Sequence, residues 1–309
     1  METLQLALLN VRHLFVGTYT ERVVWKFLEL FLQLWPSVAA GILLSALLSS
    51  YLSKEKIAPL LIRFRFLSIL PAVLLGALSP IATYAVIPLI GSLLRTNRLP
   101  KAPLMAFLTA SPLINPVLFF LTQATLGTPM AFLRLSAALI LGGTAGALTA
   151  FFFDPKLTPV LPETIPAFHK PLETVSRARL FLTELFQQSR FILRVFSLSL
   201  LVAALVAVLV PANLIAKILG GDSSFKVLLS VLMGIPLYAC GGGTIPVMDV
   251  LYDMGMSKGA ILAFFISGPA AKASTLTALL ACLEKRLVIL YLGVTLCGAF
   301  LFGIVYNLF

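Results

Sequence analysis

Charged residues are scarce in this chain, since only 11% of its 309 residues are Asp, Glu, Lys or Arg while 60% are hydrophobic. Water-soluble domains carry about 25% charged residues, so this composition excludes that class. The chain has only three cysteines, and Cys240, Cys282 and Cys297 show neither CxxC nor Cys/His spacing. We therefore expect no disulfide framework, no metal centre and no cofactor.

Motifs of enzymes and of ATP-driven pumps are missing as well. The apolar stretches contain no HExxH, no Ser-His pair and no paired aspartates, and the chain has no P-loop. We expect no enzymatic activity. Any energy for transport must come from an ion gradient, from the membrane potential or from a separate ATPase subunit.

Long apolar runs, in contrast, recur along the whole chain, and eight approach the ~20 residues that a helix needs to cross a bilayer. We predict an all-α integral membrane protein of about eight transmembrane segments in the inner membrane. Lys and Arg lie mostly at the ends of the runs, so the net charge of +11 indicates membrane anchoring and no nucleic-acid partner. The runs cover residues 26–51, 67–95, 102–124, 131–153, 188–210, 226–252, 258–281 and 286–307.

The two halves of the chain resemble each other. LMAFLTASP from Leu104 matches ILAFFISGP from Ile261 at an offset of 157, and RLSAALILGGTAGAL from Arg134 matches RLVILYLGVTLCGAF from Arg286 at an offset near 152. Several matches in the same order predict a tandem duplication, with parallel or inverted repeats. The predicted units are an N-terminal surface segment (1–25), a first transmembrane repeat (26–153), a proline-rich polar linker (154–185) and a second transmembrane repeat (186–309).

Two apolar runs in each half are interrupted by proline and glycine. Proline removes a backbone donor and clashes with the preceding helical turn, so we predict broken or re-entrant helices near the membrane midplane. The motifs are LSPIATYAVIP (78–88), ASPLINP (110–116), GIPLYACGGGTIP (234–246) and SGPAAKA (267–273). The expected structural breaks are Pro80, Pro88, Pro112, Pro116, Pro236, Pro246 and Pro269.

These four motifs resemble, in their order, those of a bacterial predicted-permease family that includes the trivalent organoarsenical efflux permeases. The resemblance lies within about residues 57–300, in LGALSP…VIPL…LPKAPLMAFLTASPLINP and GIPLYACGGGTIPV…MGMSKGAILAFFISGPA. It implies an inner-membrane permease of about eight spans. Family members linked to thiol-reactive metalloids tend to carry Cys-Ser-Cys in the first motif, where this chain has Ala82, Thr83 and Tyr84. Cys240 is then the only thiol left in a motif.

Polar residues at the interruptions are the candidate substrate-binding residues, because a polar group in hydrocarbon needs a partner or a task. Lys272 can hold an anion, pair with an acid or extend to the membrane surface. Asp249 is the candidate coupling residue, or else an ordinary interfacial acid. Ser111, Asn115 and Ser267 are further candidates and are expected to cap helix segments. The remaining candidates are Tyr84, Tyr238, Cys240, Gly241, Gly242, Gly243 and Thr244.

The predicted function is a permease that moves a small solute through a site between the repeats by alternating access. The expected substrate is an anion or a metalloid or organoarsenical-type compound, and efflux is the expected direction. An ion or small-solute channel built from paired re-entrant segments is the alternative, and a membrane scaffold is a third option. The expected partners are the small-molecule substrate and the lipid bilayer, and assembly into a homo-oligomer is compatible with the sequence.

Overall fold

The computed structural model describes residues 19–51, 68–78, 101–153, 177–221, 223–238 and 241–308, and all regular structure in these ranges is α-helical. This confirms the all-α class. The helices are α1 (Tyr19–Tyr51), α2 (Ile69–Leu78), α3 (Lys101–Ala110), α4 (Pro116–Leu126), α5 (Thr128–Phe152), α6 (Arg177–Leu209), α7 (Ala212–Leu219), α8 (Ser224–Leu237), α9 (Gly241–Asp253), α10 (Lys258–Ala271), α11 (Ala273–Cys282) and α12 (Lys285–Asn307).

Four of these helices, α1, α5, α6 and α12, are long and apolar enough to cross a bilayer alone. They coincide with four of the eight predicted runs. The bent pair α7 and α8 can supply a fifth span, so the described residues hold four or five candidate spans. The other apolar runs that fall on described residues are divided into shorter helices.

The interrupted apolar runs are divided at short non-helical segments. A turn at residues 111–115 separates α3 from α4, and Lys272 alone separates α10 from α11. In the remaining second-half motif, α8 ends at Leu237 and α9 begins at Gly241. Most of the first-half motif 78–88, with its two predicted breaks Pro80 and Pro88, lies outside the described residues.

Three of the predicted proline breaks lie inside helices instead. Pro236 belongs to α8, Pro246 to α9 and Pro269 to α10. A proline deprives one carbonyl of its helical donor, but the other hydrogen bonds and the packing of the helix hold it together. Pro112 and Pro116 fit the prediction, because one lies in the turn after α3 and the other is the first residue of α4.

Three helices of each half pack against one another in the same arrangement, namely α2, α3 and α5 in the first half and α8, α10 and α12 in the second. Glycine permits the close approach of α5 to its neighbours. A Cβ atom added at Gly146 would lie 2.9 Å from Ala106 Cβ, 3.0 Å from Ile69 Cγ2 and 3.1 Å from Ala102 O. A side chain at this position therefore cannot fit unless the helices separate.

Gly303 of α12 makes the corresponding contacts in the second half. A Cβ atom there would lie 3.0 Å from Ala263 Cβ, 2.6 Å from Val227 Cγ1 and 2.8 Å from Gly259 O. Each of these four residues follows its first-half counterpart by 157 or 158 positions. The same glycine and the same three contacts therefore occur once in each half.

The packing aligns α5 with α12 differently from the sequence match. Gly146 and Gly303 hold similar places in the packing at an offset of 157, which sets Arg134 against Tyr291, whereas the sequence match at an offset near 152 sets it against Arg286.

Candidate functional site

Arg134 lies in the interior of the protein, on α5. Its side chain is only 1% exposed, and it is the largest of the fully buried side chains in the described residues. A charge in the membrane interior costs at least ~2.5 kcal/mol on insertion scales, so a buried arginine needs partners or a task.

The guanidinium group of Arg134 contacts elements of both halves. Nε donates a hydrogen bond to Leu113 O at 3.1 Å, in the turn between α3 and α4, and Nη1 donates to Thr122 Oγ1 on α4 at 2.9 Å. The Cζ atom lies 4.3 Å from the ring centre of Phe265 on α10, which is cation–π geometry. Nη2 makes no hydrogen bond to any residue that the structure describes.

Tyr238, the residue after α8, reaches the same guanidinium. Its side chain interacts electrostatically with Arg134. Its ring packs directly against Gly268 and lies 6.3 Å from the ring of Phe264, both on α10. The α3–α4 turn, the end of α8 and the middle of α10 therefore meet around one buried positive charge.

Of the three predicted cap residues, only Asn115 is a cap. Its side chain accepts a hydrogen bond from the Leu118 N–H at 2.9 Å at the start of α4. Ser111 instead follows the end of α3, and its backbone N–H donates to Phe107 O. Ser267 lies inside α10 with a fully buried hydroxyl that has no hydrogen-bond partner in the described residues. The capping prediction is wrong for both serines, because Ser111 lies at the C-terminal end of α3 and Ser267 lies inside α10.

Lys272 lies at the division between α10 and α11, where it is the residue before the first helical residue of α11. Asn115 holds the same place before α4, 157 positions earlier. Each of the two residues therefore directly precedes a short interior helix. Lys272 is half-buried, and its side chain does not cap α11.

Asp249 of α9 is buried, with 7% of its surface exposed. The charged groups that act most on its carboxylate are Asp253, one turn later on the same helix, and Lys26 of α1.

The glycines of the second-half motif begin a helix, since Gly241 and Gly242 are the first residues of α9 and are followed by buried Gly243 and Thr244. Tyr84 and Cys240 lie outside the described residues. Substrate binding by Tyr84, Cys240 and the glycines of this motif therefore remains a prediction.

Gly243 and Thr244 also line a cavity of about 440 Å³ between α6, α8, α9 and α10. Its walls are almost wholly apolar, and Ser199, Ser230 and Thr244 supply the hydroxyl groups. Ser230 donates to Ala260 O at 2.6 Å, whereas the buried Ser199 hydroxyl has no partner in the described residues.

The protein has helices long and apolar enough to cross a bilayer, and its shorter helices meet around a buried charge. This combination is typical of a multi-pass membrane transport protein. The chain belongs to the predicted-permease family ArsP_1, whose family model matches residues 22–308. This confirms the resemblance seen in the four motifs and makes the protein a membrane permease. The comparison gives no support to the channel alternative.

Proteins from other organisms are similar over different lengths. A Streptococcus mutans protein named as a two-component membrane permease complex subunit is 22% identical over 277 residues, covering 86% of this chain and 89% of that protein. YcgR of Bacillus subtilis is 29% identical over 129 residues, covering 41% of this chain and 44% of that protein. No solved structure matches this chain.

Proposed function

We propose that this permease is a carrier of the secondary-transporter type, which moves a small solute past Arg134 by alternating access. The proposed substrate is an anion or a metalloid or organoarsenical-type compound, and the proposed direction is efflux. The observation that carries the proposal is the meeting of interrupted segments from both halves around the buried guanidinium of Arg134.

Arg134 suits an anionic or strongly polar group for two reasons. A guanidinium keeps its charge and presents its donors in a fixed plane, which favours bidentate contacts with oxyanions. Two of its nitrogens are already held by Leu113 O and Thr122 Oγ1, so the direction of Nη2 is fixed before a solute arrives. Preorganisation of this kind lowers the entropic cost of binding.

Lys272 and Asn115 are proposed as the second pair of solute contacts, because each lies before the first turn of a short interior helix. Helix N-termini favour anions through unpaired N–H groups and the helix dipole. Asp249 is the proposed coupling residue. The other proposed contacts remain Tyr84, Tyr238, Cys240, Gly241, Gly242, Gly243, Thr244, Ser111 and Ser267.

Two sets of repeated contacts support a duplicated architecture with the site between the halves. Gly146 and Gly303 meet the same three neighbours at offsets of 157 and 158. The pairs α1 with α6 and α5 with α12, which correspond to each other, also pack together. Transporters built from repeats bind their solute at such an interface.

The experiment is thermal stabilisation of the detergent-purified protein by small oxyanions, metalloids and organoarsenicals. A solute at 100 times its dissociation constant stabilises the folded state by about 2.7 kcal/mol. The shift is expected to disappear in Arg134→Lys and in Lys272→Ala, and to persist in Arg190→Lys, which changes an exposed arginine of α6. A shift lost in Cys240→Ala alone would move the site to the thiol and would favour a thiol-reactive metalloid.

Lys272→Ala is also expected to abolish transport in proteoliposomes while the protein stays folded, because the substitution removes a charge but no packed core side chain. Normal flux in this variant would exclude Lys272 from the site. Saturable flux without ion current distinguishes a carrier from a channel.

The Streptococcus mutans relative is named as one subunit of a two-component complex. We extend this to the present chain as a proposal that a second membrane protein completes the transporter. Affinity purification of the tagged chain from its native membranes, followed by identification of a stoichiometric second chain, tests it.

A further inference from the structure

We propose that the apolar cavity on α6 is the access cavity of the permease, and that α11 closes it in a second conformation. In this structure α4 packs against the face of α1 that corresponds to the cavity-lining face of α6. The inference rests on the proposed carrier function, which it deepens by assigning the segment that moves.

The closed side consists of α4 packed against α1. A Cβ atom at Gly41 of α1 would lie only 2.7 Å from Val117 Cα, so the two backbones are in direct contact. α4 also packs against α5 and α9. It is therefore held on three sides.

The counterpart of this contact is missing from the other half. Gly41 corresponds to Ser199 of α6 at the offset of 158 by which α1 and α6 begin and end, and Val117 corresponds to Ser274 of α11 at the offset of 157 that relates Asn115 to Lys272. In the described residues α11 packs against α10 and α12 and makes no extensive contact with α6. Ser199 instead lines the cavity, and its hydroxyl has no hydrogen-bond partner among the described residues.

The chemistry of the cavity agrees with an apolar occupant. Its lining contains no charged residue, and α11 has the sequence ASTLTALLAC, which is apolar apart from small hydroxyl residues. Among the solutes proposed above, the cavity therefore favours those with a largely apolar body, such as an organoarsenical compound, over an inorganic ion, which would lose its hydration there without gaining a partner.

Corresponding helices in contact indicate how the halves are oriented. Phe31 of α1 contacts Phe196 of α6, with ring centres 6.4 Å apart. The α1 counterpart of Phe196 is Val38, seven residues and about 10.5 Å of helix beyond Phe31. When two corresponding helices pack in parallel about a two-fold axis, each residue contacts its own counterpart. When they pack antiparallel, a residue before the midpoint of the contact meets the counterpart of a residue after the midpoint. The contact favours inverted repeats, in which an exchange of the α4 and α11 arrangements opens the opposite face of the membrane.

The test is disulfide cross-linking in membranes with copper phenanthroline, in a background in which Cys240, Cys282 and Cys297 are replaced by alanine. Ser199→Cys with Ser274→Cys is expected to cross-link, because the second conformation brings these positions within the ~7 Å that a disulfide needs between Cα atoms. Ser199→Cys with Leu276→Cys is the matched control, because position 276 lies on the opposite side of α11. Its cross-linked fraction is expected to be several-fold lower.

Coupling between the halves is tested by adding Gly41→Ala, which crowds the α1–α4 contact and disfavours the present conformation. This substitution is expected to raise the yield of the 199–274 cross-link. Gly143→Ala is the control, because a Cβ atom there meets nothing within 4 Å. Unchanged yield in Gly41→Ala would overturn the exchange between halves.

No 199–274 cross-link, while both single cysteines react with a maleimide, would overturn closure by α11. If Ser199→Cys does not fold, Val202→Cys replaces it on the same cavity wall, with the same two outcomes. Cross-linking reports conformation without any solute, so a positive cross-link in a protein that transports none of the tested solutes would refute the proposed carrier function, while the closure of the cavity by α11 would still stand.

Discussion

At the scale of single residues, Arg134 combines a structural and a proposed functional role. It holds the α3–α4 turn through Leu113 O and α4 through Thr122 Oγ1, and it stacks on Phe265 of the other half. Tyr291 of α12, which lies 157 positions later, is equally buried, and its hydroxyl has no partner in the described part of the chain.

The sequence did not single out Arg134, because it lies four residues inside a predicted span and Lys and Arg near span ends normally anchor helices at the membrane surface. The usable signal was its place inside helical TPMAFLRLSAALI, one and a half turns after Pro129. An arginine so far inside an apolar helix has to lie in the interior of a membrane protein.

Substituting Arg134 is expected to affect stability and ligand response to different extents. Arg134→Gln removes the charge and the cation–π contact and is expected to lower the free energy of unfolding by about 1–3 kcal/mol. Arg134→Lys retains the charge and part of the stability but loses the fixed donor geometry. Thermal unfolding with and without solute measures both effects. A lysine variant with full ligand response would contradict the proposed role of the guanidinium plane.

Asn115 offers a prediction about a single cap. Asn115→Ala is expected to cost about 0.5–2 kcal/mol of stability, because the Leu118 N–H loses its acceptor at the start of α4. Asn115→Asp retains an acceptor and is expected to restore most of the loss. The measurement is the unfolding midpoint of the purified variants. Equal destabilisation by alanine and aspartate would indicate that Asn115 acts through another contact.

At the scale of helices, the long spans were predictable and the interrupted ones only partly. Runs of 20 or more apolar residues have one solution in a bilayer, so α1, α5, α6 and α12 follow directly from composition. The presence of interruptions also followed from proline and glycine. Their positions did not, because Pro236, Pro246 and Pro269 are accommodated inside packed helices while the chain divides at Tyr238 and Lys272. Local propensity was outweighed there by tertiary packing.

The glycine contacts between helices make a paired prediction. Gly146→Ala and Gly303→Ala are each expected to destabilise the protein by about 1–3 kcal/mol, because the added methyl group overlaps a neighbouring helix. Gly143→Ala and Gly293→Ala, in the same two helices, add a methyl group that meets nothing within 4 Å and are expected to be neutral or slightly stabilising. Unfolding midpoints of the four variants provide the comparison. Similar loss in all four would mean that helix packing is looser than these contacts indicate.

At the scale of the whole molecule, an ion pair connects the two halves. Lys101 Nζ at the start of α3 lies 2.9 Å from Glu284 Oε1 in the connection between α11 and α12, and the side chains are 7% and 28% exposed. The lysine is the more deeply buried partner. Loss of the Glu284 carboxylate therefore leaves the buried Lys101 ammonium without a partner and largely without water. Loss of Lys101 costs less, because the Glu284 carboxylate can still reach water.

Glu284→Gln is therefore expected to destabilise the protein more than Lys101→Met, and the double variant is expected to be more stable than the sum of the single effects predicts. A double-mutant cycle is expected to give a coupling energy of about 1 kcal/mol or more. The reason is that the two largely desolvated charges attract each other, whereas either charge alone has no such partner. Lys26 and Glu29 form the matched control, because this pair lies within one helix with side chains that are 30% and 61% exposed. Solvent screening should keep the coupling energy of this pair below about 0.5 kcal/mol. Additive effects at Lys101 and Glu284 would mean that the halves are held together by apolar packing alone, since the charges would then act independently of each other.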